Sequence, residues 1–158
     1  MKIKFSLFTV LLCILLSNSA WAFDNYGNTI AAGNTGHKIL FRCSTQVGIT
    51  LAATAVRDNT LINASPGFSV RIGKANSATN CNAASNWTAV KTVTNEGAWS
   101  ARTTYISVNQ TPNNNYYCVD VQRIGSHIAD DYRVNHGCSI LPNDITWQPS
   151  TFIAVFPY

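Results

Sequence analysis

After residue 37, apolar positions recur at every second residue along much of the chain. Ile39, Phe41 and Cys43 fall on one side of the first such run and Lys38 and Arg42 on the other. Successive side chains of a strand point to opposite faces, so this spacing predicts a half-buried strand. Val47, Ile49, Leu51, Ala53 and Ala55 repeat the period against Thr50 and Thr54. The alanines of 46–56 would also suit a helix, but Gly48 and the β-branched neighbours favour a strand, with Arg57-Asp58-Asn59 as the turn after it. A third strand follows the Ser65-Pro66-Gly67 turn, with Phe68, Val70 and Ile72 alternating against Ser69 and Arg71. Further β-rich runs cover 87–94 and 100–108 around the turn signal Asn95-Glu96-Gly97. At 116–121, Tyr117, Val119 and Val121 share one face and Tyr116, Cys118 and Asp120 the other. The last quarter reads as strands at 131–135 and 152–156, with turns at Asn135-His136-Gly137 and Leu141-Pro142-Asn143-Asp144. No amphipathic helix emerges. Seven or eight short strands punctuated by turns predict an all-β fold, a single antiparallel β-sandwich, immunoglobulin-like or related, over 38–158.

The first 37 residues follow other rules. Lys2 and Lys4 precede an apolar run from Phe5 to Leu16, and Ala20-Trp21-Ala22 supplies small residues in A-x-A spacing. This is the layout of a secretory signal peptide over 1–22. The uncharged run is about 12 residues, short of the about 20 that a membrane-spanning helix needs. No later stretch is long and apolar enough to span, so no transmembrane segment is expected after cleavage. Residues 23–37, with Gly27, Gly33, Gly36 and no sustained apolar period, read as an irregular N-terminal arm.

Export changes the chemistry expected of the cysteines. Cys13 would leave with the signal, and Cys43, Cys81, Cys118 and Cys138 would remain. Four cysteines in an oxidising compartment predict two disulfides, for which three connectivities exist. Pairing Cys43 with Cys81 and Cys118 with Cys138 ties neighbouring segments and is the favoured expectation. Two disulfides consume every thiol, leaving no cysteine nucleophile. The gaps are also far wider than C-x2-C, so no metal and no cofactor are expected.

Without Lys2 and Lys4, nine basic side chains face seven acidic ones, a net charge of about +2 with no basic run. Such a chain lacks the electrostatic footprint of a nucleic-acid binder. Asn, Thr and Ser replace charge, most densely at 76–86 and 109–115. These residues form turns, and they also present hydrogen-bonding groups of the kind that recognise carbohydrate. Asn63-Ala64-Ser65, Asn86-Trp87-Thr88 and Asn109-Gln110-Thr111 match the N-glycosylation sequon, a pattern that chance produces readily in this composition.

Two sets of residues could carry function. His127, Asp130, Asp131 and His136 place two imidazoles and two carboxylates within about ten residues, as an acid–base pair or a mononuclear metal site would require. A solvated polar hairpin produces the same sequence, and no H-E-x-x-H or G-x-S-x-G accompanies it. The second set is aromatic. Trp87, Trp99, Tyr116 and Trp147, with Tyr105 and Tyr158, lie near turns or strand ends, where such rings either close the core or anchor a ligand.

Two resemblances bear on architecture. Tyr116 stands two residues before Cys118, which resembles the tyrosine corner of immunoglobulin-like sandwiches; that likeness would imply a Cys43–Cys118 bridge, although no tryptophan follows Cys43 closely. Size, export signal, cysteines, low charge and the aromatic C-terminal strand resemble a chaperone–usher fimbrial subunit. That family has a glycine near the fourteenth position from the end and a penultimate tyrosine, where this chain has Ile145 and Pro157. Membership is therefore not assigned. The function expected is an exported, non-catalytic binding module, adhesin-like or surface-associated, with a glycan or protein ligand. A small secreted enzyme or toxin using the His/Asp cluster is the alternative, and a periplasmic inhibitor or fimbrial-type structural subunit is a third.

Overall fold

In the computed structural model, the described residues are 24–43, 51–59, 67–107, 115–125, 129–139, 147–148 and 150–158. They form strands β1 (Asp24–Ile30), β2 (Gly36–Cys43), β3 (Leu51–Asp58), β4 (Phe68–Lys74), β5 (Lys91–Val93), β6 (Ile106–Ser107), β7 (Tyr116–Arg123), β8 (Asp130–Ser139), β9 (Trp147–Gln148) and β10 (Ser150–Pro157). All pairings are antiparallel. The first sheet runs β1-β8-β3-β6, with β9 also against β8, and the second runs β10-β2-β7-β4-β5. No helix occurs among the described residues. The all-β, two-sheet reading of the sequence is thus what the chain adopts.

Alternation decides which side chains fill the space between the sheets. Ile39, Phe41, Phe68, Val70, Ile72, Tyr117, Val119 and Val121 from the second sheet meet Ile30, Ala52, Val56, Tyr132 and Val134 from the first in one buried cluster. Full burial of a large apolar side chain contributes about 1.5–3 kcal/mol relative to exposure, so this cluster is the main source of stability. Two imidazoles are also sealed in the interior. His37 Nδ1 and the Tyr132 hydroxyl are 2.8 Å apart, and His136 Nδ1 and Ser150 Oγ are 2.9 Å apart, each pair joining the two sheets. Burial lowers the His37 pKa and raises that of Tyr132, so the first pair is neutral at physiological pH.

Three expectations are corrected. The segment 23–37 is not an irregular arm, because residues 24–30 form β1 and pair along β8 from His136 to Asp130. Its weak sequence signal has a physical reason. As an edge strand, β1 contributes only Tyr26 and Ile30 to the packed cluster, while Asn25, Gly27 and Thr29 are exposed. The Tyr26 ring stacks on Phe152 of β10 at 4.7 Å and closes that side of the sandwich. Second, two expected turns are largely strand: Asn135-His136-Gly137 lies within β8, which is paired with β3 throughout this stretch, and Arg57 and Asp58 end β3 opposite Arg133 and Tyr132. Strand neighbours on both edges override local turn propensity.

The third correction concerns the disulfides, which join Cys43 to Cys138 and Cys81 to Cys118, both with Cα atoms 5.8 Å apart. The expected sequential pairing fails on facing. Cys43 follows Ile39 and Phe41 on the inner face, as Cys138 follows Tyr132 and Val134, so these two meet between the sheets. Cys118 alternates with buried Tyr117 and Val119 and points away from the core, where Cys81 reaches it. The Cys43–Cys118 bridge implied by a tyrosine corner is excluded for the same reason. Two formed disulfides suit an oxidising compartment.

Candidate binding surface

The structure disperses the His/Asp cluster. Asp130 and His136 share the inner face of β8 but lie six residues apart, about 20 Å along a strand. His136 is fully buried and stacked on Phe41 at 4.5 Å, out of reach of any substrate. Asp131 faces the opposite way, exposed, and accepts a hydrogen bond from Thr29 Oγ1. His127 lies outside the described residues. Among the described residues, no three His, Cys, Asp or Glu side chains gather as a metal site.

Of the aromatic candidates, Trp87 and Tyr116 pack against the Cys81–Cys118 disulfide together with Leu40, Ala75, Ala84 and Phe156. This small second core lies on the outer face of the second sheet, and residues 75–86 cover it. The Trp87 ring sits on the backbone at Gly73, where a Cβ would come within 2.7 Å of the indole. Arg71 stacks on the same ring, 4.7 Å from its centroid, and its Nε and an Nη each lie 2.8 Å from Asp120 Oδ2. Asp120 is only 1% exposed and also accepts from Gln122 and from the Tyr158 hydroxyl. Burial, reinforced by that bond to a carboxylate, holds the Tyr158 pKa well above the usual tyrosine range. Lys38 lies over the Tyr158 ring at 5.2 Å. Every group named on this face has a partner in the chain.

The outer face of the first sheet is built differently. Arg57 of β3 is directly opposite Arg133 of β8, and Arg133 is opposite Gly27 of β1. On the far side, Trp99 forms an isolated antiparallel bridge with Arg57. Directly paired residues of antiparallel strands point to the same face, so Trp99, Arg57, Arg133 and Gly27 form one row across the sheet. Trp99 is 41% exposed, the largest exposed ring outside the C-terminal strand among the described residues. Arg133 is exposed, and Arg57 is half-buried. A cleft of about 270 Å³ opens beside the row, lined by Gly27, Asn28, Thr29, Asn59, Asp131 and Arg133.

Of this surface, sequence reasoning found only Trp99 and Asp131. Arg57 and Arg133 are separated by 76 residues in a chain of low charge, and only the β3–β8 register makes them neighbours. Arg133 alternates with apolar Tyr132 and Val134, which marks it as outward-facing, whereas the sequence pattern put Arg57 in a turn. Trp147 pairs through its backbone with Ser139 at the end of β8. No protein-family model matches the chain, and no curated protein matches it.

Proposed function

We infer that the chain is an exported binding module that recognises a saccharide on the outer face of the first sheet. The row Trp99–Arg57–Arg133–Gly27 beside the 270 Å³ cleft carries this reading. An exposed indole offers an apolar surface for the C–H face of a sugar ring, and the Asn59, Thr29 and Asp131 side chains in the cleft at the other end of the row supply donors and acceptors for hydroxyls. The absence of a side chain at Gly27 keeps the β1 end of the row low and open. The signal-like first 22 residues and the two disulfides support an exported, oxidising setting for this activity. The buried, dispersed His136 and Asp130 weigh against the alternative of an enzyme using that cluster.

A glycan array probed with the purified protein tests the reading. Retention of one or more glycans is expected, with loss of signal for Trp99→Ala and no loss for Arg42→Ser on the opposite sheet. Retention of no glycan, or full retention by Trp99→Ala, would remove it.

A further inference from the structure

We propose that the saccharide is anionic, with Arg57 and Arg133 clamping its carboxylate or sulfate while Trp99 carries the sugar ring. This rests on the saccharide reading above and adds the charge class of the ligand.

Arg57 and Arg133 lie directly opposite one another across the β3–β8 pair. Like charges directly opposite one another on neighbouring strands destabilise a sheet, with Cβ atoms about 5 Å apart. Among the described residues, no carboxylate forms an ion pair with either arginine. The Arg71–Asp120 ion pair lies on the other sheet. Asp131, which lines the cleft beside Arg133, is engaged by Thr29. Arg123 is satisfied within the chain, its Nη2 donating to the Asn34 carbonyl at 2.7 Å. By contrast, the Nε–H of Arg57 is buried with no acceptor. Its guanidinium rests against the 95–97 turn, where a Cβ on Gly97 would lie 3.6 Å from an Arg57 terminal nitrogen.

A cation partly withdrawn from water attracts an anion more strongly than one on an open surface. A planar guanidinium fork matches the paired oxygens of carboxylate or sulfate, and a charge-assisted bond of this kind is roughly twice as strong as a neutral one. An anion seated there would also relieve the repulsion between the arginines. Trp99 adjoins this pair in the same row, and the cleft with Asn28, Thr29 and Asn59 adjoins it on the other side. A single sugar bearing an acidic group therefore meets both chemistries at once. Nucleic acid suits the surface poorly, because the two arginines are isolated and a phosphate backbone needs an extended basic track.

Calorimetric titration of the purified protein separates the possibilities. The probes are a galacturonate hexamer, carrying carboxylates alone, a sulfated dextran oligomer, carrying sulfates alone, neutral maltohexaose and a thymidylate decamer. Binding of the galacturonate or the sulfated dextran is expected, with the stronger arm identifying the acidic group. Affinity should fall at least tenfold in Arg57→Thr or Arg133→Thr, and fall with salt between 50 and 300 mM. Should either threonine variant fail to fold, the double variant Arg57→Lys with Arg133→Lys, which keeps charge and loses the forks, should still bind several-fold more weakly. Equal binding of maltohexaose, unaffected by the arginine variants, would overturn the anionic assignment and leave the saccharide reading standing. Equal binding of the thymidylate decamer would overturn it as unspecific attraction of anions. Binding of none of the four, together with an empty glycan array, would remove both.

Discussion

The two outer faces of this sandwich use the same residue types to opposite ends. On the second sheet, Arg71 is stacked on Trp87 and paired with Asp120, Tyr158 closes the remaining Asp120 oxygen, and a disulfide pins the covering segment down. On the first sheet, Arg57 and Arg133 face one another without a carboxylate between them, and Trp99 stands exposed at the end of their row. An arginine beside a tryptophan therefore says little by itself. What distinguishes a structural face from a binding face is whether the polar groups are satisfied within the chain, since folding alone selects for satisfaction.

The largest effect expected from breaking this contrast comes from the disulfide on the second sheet. Replacing Cys81 and Cys118 together by Ala reopens a loop of 37 residues. On the chain-entropy model this costs about 3–4 kcal/mol, to be read from urea unfolding. The folded fraction should still bind the saccharide probes normally, because the cover belongs to the other face. Cutting Cys43–Cys138, with a separation of 95, would weaken the junction of both sheets and so could not tell the faces apart.

The next effect is smaller and concerns charge. Arg71→Ala leaves Asp120, at 1% exposure, without its cation, and should destabilise the protein by roughly 1–2 kcal/mol. The figure is held down because Arg71 itself is 35% exposed and partly screened by solvent. Arg133→Thr should have the opposite sign, stabilising by about 0.2–1 kcal/mol through removal of a like-charge pair. Opposite shifts in urea midpoint for these two arginines would confirm the contrast between the faces; destabilisation by both would erase it.

The smallest effect is a dependence on pH that belongs to the seam between the sheets. Burial depresses the His37 pKa, so the unfolded chain binds its proton more tightly than the native state does. Its contribution is therefore fully present above the unfolded value of about 6.5 and lost as pH falls toward and through the lower native value. Thermal midpoints should drop between pH 7 and pH 5, and His37→Gln should flatten part of that drop. A midpoint insensitive to pH over this range would contradict the burial argument.

The fold was legible where strands bury a full face. Ile39 to Cys43, Phe68 to Ile72 and Tyr117 to Val121 alternate cleanly because the opposite sheet demands it. β1 was not legible, because an edge strand that buries only Tyr26 and Ile30 carries too few apolar residues to set a period. The disulfide pairing was in fact implicit in the alternation, since Cys118 falls opposite in phase to Tyr117 and Val119, and Cys43 in phase with Phe41. Proximity along the chain was a weaker guide than the face each sulfur occupies. The candidate site was least legible, because Arg57 and Arg133 become neighbours only through the pairing of β3 with β8, which no local pattern encodes.

The most direct test of the division between the two faces is an amide and side-chain NMR titration of the labelled protein with the galacturonate hexamer. Perturbed signals are expected for the Trp99 indole N–H, the Arg57 and Arg133 Nε–H groups and the amides of Gly27 and Thr29, with Trp87, Arg71 and Tyr158 unmoved. Perturbation centred on Trp87, Lys38 and Tyr158 instead would contradict it.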